Sequence, residues 1–486
     1  MLSQIVVRLS MLPAGWRVRA ATRLRCAAKA PHIRSLIGCL TDADDEVCGA
    51  VRDSLAAIGP ACIPALLKSL AGGLPAERAA AARMLGHYGL AATVAVPVLS
   101  QCLNDGLGTV REAAALALGQ LGPLARSAAP RLQRNVSDND RAAAIAAIVA
   151  LGQIGADARG AIPLLIDQLS DSDRRVRDAA AKALGEIGPS SPDIVPELVQ
   201  RLFHREAEVR AATATALAGL GSAASSAVPM LIQQLEDQHV SVRLAVVNAL
   251  ERIGPAAVVA IPILIRLLQD KEWTIREMAA RALIPHGTAI QRAVPALIPL
   301  LSDGHGRVRL AAIEALTGIG PSARYAAAAA FELLLDKHPS VCEAARQYFL
   351  RLSASLTDFL PQLIDQLNSI ETPRCRAALT AIQAIGPVAA TALPDIYQRL
   401  EDASLREAAA DALGSLGPVA RTVVPDLVER LLDSDVTVRR TAARALKSLG
   451  PLVRAERSAL INQLSDRDPE VRQFIAQALE RTRGNE

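Results

Sequence analysis

Aromatic residues are nearly absent from this sequence: eleven Phe, Trp and Tyr make up 2% of 486 residues, although 51% are hydrophobic. The apolar material is Ala, Leu, Ile and Val, which favours helices that approach one another closely. Also missing are the GxSxG nucleophile elbow, the GxxxxGK[ST] phosphate loop and the GxGxxG dinucleotide turn, so three common catalytic frameworks have no residues to build on. The seven cysteines (26, 39, 48, 62, 102, 342, 375) form no CxxC pair and are odd in number. That pattern predicts free thiols in a reducing, cytoplasmic compartment and neither a metal site nor a cofactor. No apolar run reaches the ~18 residues of a membrane span, and the nearest, AAVVAIPILI, contains a proline. A chain without a transmembrane segment is expected.

Charge of one sign is also lacking. The formal net charge is +4, yet residues 1–40 alone carry Arg8, Arg17, Arg19, Arg23, Arg25, Lys29 and Arg34 with no acid, which leaves −3 for the rest. The body therefore has no basic excess suited to a nucleic-acid backbone, and no nucleic acid is expected as a partner. Residues 1–30 read as a degenerate basic first repeat or cap. Their Arg-rich character leaves membrane-surface or nucleic-acid attachment as a weaker alternative.

What the chain does have is a 33-residue period. The segment VRDAAAKALGEIGP from Val176 returns at Val110, Val209, Val242, Ile275 and Val308. Fainter copies start at Glu77, Ala143, Val341 and Arg374, and spacing errors carry the pattern to Val47, Leu405, Val438 and Val471. Such a period means about fifteen stacked units, not a globular enzyme.

Each unit reads as two helices. In the second, Val176, Ala179, Ala180, Ala183, Leu184 and Ile187 form one apolar stripe at helical period, with Asp173 as N-cap and Gly188 as a left-handed stop before Pro189. The first helix starts at a proline twenty residues after each anchor, as at Pro130, Pro163, Pro196 and Pro229. Neither helix can cover its own stripe, so the units must stack.

The unit P-x-L-I-x-x-L-x-D-x-D-x-x-V-R-x-A-A-x-A-L-G-x-I-G resembles HEAT repeats, and specifically the short bacterial type also found in phycobilin lyases. The resemblance covers residues 31–486 well and 1–30 loosely. It implies an all-α, right-handed solenoid, continuous over 31–486, with an irregular segment at 321–360. It also implies a scaffold with second helices on the concave face, or, as the rival, a bilin-lyase-like accessory enzyme acting on a chromophore–protein pair. One enzyme of the repeat family, deoxyhypusine hydroxylase, holds di-iron through His-Glu pairs; this sequence has no His-Glu dipeptide, and sparse aromatics offer little lining for a tetrapyrrole.

The recurring polar residues fit the repeat. Arg177, Arg210, Arg243, Arg276, Arg309, Arg439 and Arg472 come directly after the anchor, and turn acids such as Asp173 accompany them, which predicts a structural Asp/Arg ladder. His204, His239, His305 and His338 fall in the same turn, but stacked positions lie ~10 Å apart and zinc ligands must converge to about 2.0–2.3 Å, so these read as turn residues. Five of the eleven aromatics cluster at Tyr325, Phe331, Tyr348, Phe349 and Phe359, where Ala328 replaces the usual proline. They read as filling of a widened core, with a hinge or partner hot spot as the alternative.

Two and six residues beyond each anchor, the second helices present Asp178, Lys182, Thr215, Asn248, Glu277, Arg281 and Glu314 away from the stripe. This mixture of apolar and oppositely charged side chains suits a protein or peptide partner. The sequence thus predicts a non-catalytic scaffold that binds such a partner on a concave helical face.

Overall fold

In the computed structural model of the chain, the described residues are 36–483 apart from Pro192, together with Val18 and Ile33. Among them there is no strand. Two compact units divide the chain at Ala260 and Ile261. Each is a stack of helix pairs, so the fold is an all-α solenoid.

The pair 162–187 shows how a repeat is made. A short first helix, Ile162–Gln168, carries Pro163 in its opening turn, where the missing N–H costs nothing. The second helix, Arg174–Ile187, is capped by Asp173, whose carboxylate accepts from the Arg175 amide. Val176, Ala180, Ala183, Leu184 and Ile187 are buried as the stripe requires. Ala179 is only half-buried, and Ala181 takes its place in the core. The reason is that this helix packs on the preceding and following second helices as well as on its own first helix, so a flanking position is covered too. Leu184, fully buried, contributes about 2 kcal/mol.

An element not foreseen is the 3-10 segment joining repeats, as at Gly122–Ala128, Gly155–Ala161 and Gly221–Ala227. Its first glycine is the left-handed stop, with φ of 56° at Gly122 and 73° at Gly155. Gly188 departs from the expectation: its φ is −67° and ψ −30°, ordinary right-handed backbone. A Cβ there would run into the Leu220 Cδ2 of the next repeat, so that side chain would have to shift to admit one.

Small residues also set the spacing between second helices. A Cβ on Gly185 would lie 2.7 Å from the Gly219 Cα, and one on Gly119 would lie 3.0 Å from the Ala150 Cα. Bulkier side chains there would push adjacent repeats apart.

By length and composition alone, five continuous helical stretches are apolar enough to cross a membrane: Asp45–Gly72, Arg141–Gln168, Ala207–Gln234, Val240–Leu267 and Thr372–Glu401. None is an unbroken apolar run in the sequence. Each also turns at a left-handed glycine (59, 155, 221, 254 and 386), and joins a 14-residue helix to a shorter one. Neither arm has the ~20 residues that a spanning helix needs.

The segment 321–360 breaks the pattern in the second unit. Helix Pro339–Leu352 ends at Ser353 in right-handed conformation instead of at a left-handed glycine. Tyr348 and Phe349 are fully buried and meet edge to face at 5.5 Å, while Phe359 stacks on Phe349 at 6.1 Å. The Tyr348 hydroxyl donates to the Ala323 carbonyl at 2.7 Å. Tyr325 alone of the cluster points outward, its ring under the Arg324 guanidinium.

Candidate functional site: ladder edge and second-helix face

The turn preceding each second helix forms one edge of the stack, and its polar residues are bonded in a repeating way. The Arg after the anchor reaches 27 residues forward to the turn Asp of the next repeat. Arg111 donates through Nε and Nη2 to both Asp138 oxygens at 2.6 Å. Arg78 grips Asp105 in the same bidentate manner at 3.0 Å. Arg210–Asp237, Arg276–Asp303, Arg309–Asp336 and Arg439–Asp466 repeat the contact between 2.5 and 2.9 Å. The bidentate form is the strong, geometrically specific version of this pair.

The same guanidinium also ties down its own turn. Nη1 donates six residues back, from Arg111 to the Asp105 carbonyl, from Arg210 to that of His204, and from Arg309 to that of Asp303. Arg243 and Arg472 make this bond to the Asp237 and Asp466 carbonyls. Each turn Asp in turn accepts from an amide two residues on, as Asp138 does from Asp140. The Arg111 bond holds the Asp138 carboxyl below the usual carboxylate range. Arg309 does the same to Asp336.

Cysteine fits this frame. Cys48, Cys342 and Cys375 occupy the arginine position, and their thiols donate to the same carbonyl six residues back, at Asp42, Asp336 and Ser369. They keep the bond within the turn and give up the one between repeats. Among the described residues, Cys39, Cys48, Cys62, Cys102, Cys342 and Cys375 form no disulfide; Cys26 lies outside the described residues. Burial pushes the Cys342 and Cys375 thiols upward in pKa, which makes them poor nucleophiles at neutral pH.

The histidines divide. His239, His305 and His338 sit at N-caps but make no side-chain cap bond. The Trp273 ring stacks on His305 at 4.8 Å. His204 replaces the turn aspartate itself, and its Nδ1 accepts from the Glu206 amide. Among the described residues no group of three or more His, Cys, Asp or Glu is placed to hold a metal ion.

The proposed contact residues lie on second helices in both units. In the first, Asp178 is exposed beside Arg174 at 3.3 Å and Lys182 is exposed 3.9 Å from Glu186. Thr215 is exposed with its hydroxyl on the Ala211 carbonyl, and Asn248 is half-buried. In the second unit, Glu277 lies under Arg281 at 3.7 Å and Glu314 is exposed. Toward the C-terminus the equivalent positions pair across repeats: Arg444 bonds Glu407 at 2.8 Å, and Arg440 bonds Asp468.

A cavity of about 190 Å³ on this face of the first unit is lined by Cys48, Arg52, Arg83, Met84, His87 and Gln120, among others. It shows that the position ten beyond the anchor, here His87 and Gln120, belongs to the face as well. One helical turn beyond position six is the signal that would have found it.

A family profile described as HEAT repeats matches residues 63–148, 128–202, 195–284, 261–351, 360–447 and 424–486. The chain belongs to the HEAT-repeat family. No curated protein matches the sequence. Among solved structures, the HEAT solenoid is similar to that in the Kap95:Nup1 complex, with 15% identity, TM-score 0.54, and coverage of 99% of this chain and 73% of that one. Yeast importin-beta (Kap95p) gives 15% identity, TM-score 0.51 and coverages of 99% and 72%. The karyopherin Kap121p bound to the extreme C-terminus of the protein phosphatase Cdc14p gives 15%, 0.51, 96% and 56%. At such identities the likeness is one of fold.

Proposed function

We propose that this HEAT solenoid is a non-catalytic scaffold that holds a protein or peptide partner along the exposed face of its second helices. The observation that carries the reading is how the polar groups are divided. Those that recur in most repeats (the Arg, the turn Asp, and the Cys that replaces Arg) are committed to bonds within their own turn and, at the intact rungs, to the next one. Those that change from repeat to repeat, such as Lys182, Thr215, Asn248, Arg281 and Glu314, stand on the second helices. Recurrent groups build the frame and variable ones distinguish partners.

Similar solenoids lend support: one was solved as the Kap95:Nup1 complex, another with the extreme C-terminus of Cdc14p bound. The mixed charge of the face suits protein better than nucleic acid. Unpaired thiols suit a reducing, cytoplasmic setting. The bilin-lyase-like reading gains no support from the HEAT-repeat profile or from the karyopherin structures named above. Attachment through residues 1–30 concerns a segment that, apart from Val18, lies outside the described residues.

The test is affinity capture from the native cell with the full-length chain, repeated with Lys182→Glu, Arg281→Glu and Glu314→Lys. A captured protein that is lost with these reversals supports the face. Capture that survives all three moves recognition elsewhere on the solenoid.

A further inference from the structure

The ladder provides its own internal control, and one rung of the first unit fails it. Arg78, Arg111 and Arg210 each hold a carboxylate of the next repeat. Where the arginine is missing, at Ala144, Arg141 reaches Asp171 at 2.9 Å instead, so that gap is filled from within. Where the carboxylate is missing, nothing fills it. Arg177 should meet residue 204, which is histidine. The His204 Nδ1 already accepts from the Glu206 amide at 3.2 Å. With its lone pair there committed, a neutral ring carries its proton on Nε2 and has no acceptor left.

Arg177 therefore keeps only its bonds within the turn, Nη1 to the Asp171 and Ser172 carbonyls at 2.7 and 3.0 Å. Its Nε and Nη2, the two atoms that grip the carboxylate at Arg111, have no partner among the described residues. Nearby acids are engaged elsewhere: Asp171 with Arg141, Asp173 with Arg175, Asp167 with Arg201, Asp178 with Arg174, and Glu206 with Arg205. The half-buried Arg177 side chain is held in place by its own turn, and the turn position that would answer it holds the His204 ring instead of a carboxylate.

A second departure falls on the same turn. Phe203, one residue before His204, is 52% exposed. The other repeats of this unit place Asn104, Ser137, Ser170 and Glu236 there. An exposed aromatic on the turn that fails to answer an arginine combines the two residue types most at home in a binding hot spot.

We propose that the Phe203–His204 turn and Arg177 form a docking site for a partner protein segment that presents an Asp or Glu carboxylate next to an apolar side chain. The carboxylate takes the place of the missing turn aspartate on Arg177, and the apolar side chain covers Phe203. The site rests on the reading that the chain binds protein, and is separate from the second-helix face.

The test uses the full-length chain and an array of short peptides with Glu beside Leu or Phe, each with its Gln counterpart, read by fluorescence anisotropy. The acidic peptides should bind at least about tenfold more tightly than their Gln partners, the worth of one charged hydrogen-bonded contact. His204→Asp restores the rung from within; it should erase that preference while leaving the melting temperature equal or higher. Arg177→Gln should erase it as well, and Phe203→Ser should weaken both members of each pair. Arg126→Gln, on an exposed connector outside both proposed sites, should change nothing. Absence of any acid preference, or its persistence in His204→Asp, overturns the site. So does stronger binding of phosphoserine than of Glu, which would assign the position to phosphate. Because Lys182→Glu tests the second-helix face separately, failure here and failure of the scaffold reading are distinguishable.

Discussion

The thiol of Cys342 donates to the carbonyl of Asp336 at 3.1 Å, the same six-residue step back that Arg309 Nη1 takes to Asp303 at 2.7 Å. One position thus serves two bonds, and cysteine keeps only the local one. Its would-be partner in the next repeat, residue 369, is serine, so both halves of the long-range pair are lost together. Cys342→Arg and Ser369→Asp should each be close to neutral or mildly destabilising. Combined, they should show a favourable coupling of about 1–2 kcal/mol in a double-mutant cycle by urea unfolding. Simple additivity would mean that the ladder contributes little between repeats.

Removing an intact rung should cost more than never having one. Arg111→Ala leaves Asp138, whose side chain is only 8% exposed, without its counter-charge. A loss of about 2–3 kcal/mol is expected. Because each repeat depends on its neighbours, the loss should appear as a broadened or split denaturation curve.

The rung also makes stability depend on pH. Asp138 and Asp336 have folded-state pKa values below their ordinary ones. The unfolded chain therefore takes up protons first as pH falls. The stabilisation is complete above the ordinary carboxylate pKa and is lost as pH falls through the depressed folded values. Arg309→Gln should flatten the acid limb of a stability–pH curve relative to the parent chain.

His286 predicts a second, higher window. It stands where other repeats have Ile187, Ile253 or Ile319. It is buried, its Nε2 has no hydrogen-bond partner, and burial lowers its pKa from 6.5. Folding therefore disfavours the proton, and stability should decline as pH drops below 6.5 toward the lower folded value. His286→Ile should remove this decline and stabilise the chain by about 1 kcal/mol. An unchanged pH profile in that variant would falsify the assignment.

Close approach of the helices gives a prediction of opposite sign. Gly185→Ala normally favours a helix, but the added Cβ would meet the Gly219 backbone at 2.7 Å. A destabilisation of about 1–3 kcal/mol is expected, measured by thermal melting. The same change at Gly155, whose Cβ direction is open but whose φ is 73°, should also destabilise, through backbone strain.

The repeating frame was legible in the chain. Offsets of 0, 4, 7, 8 and 11 from Val176 mark buried residues, Asp173 caps its helix, and the prolines open the first helices, because these features depend on neighbours within one or two turns. The 3-10 connectors were not legible, since glycine and proline announce a break without specifying the backbone conformation beyond it. Gly188 shows the limit most directly: it looks like every other stop, yet its backbone is right-handed and it lies against Leu220 of the next repeat. The sequence by itself determined the period, the helical pairs and their stacking, for which a 33-residue unit too small to bury its own stripe leaves no alternative. Only the tertiary structure decided which arginine holds which carboxylate. That choice spans 27 residues and two repeats, and at Arg177 it leaves a charge that the neighbouring repeat does not answer.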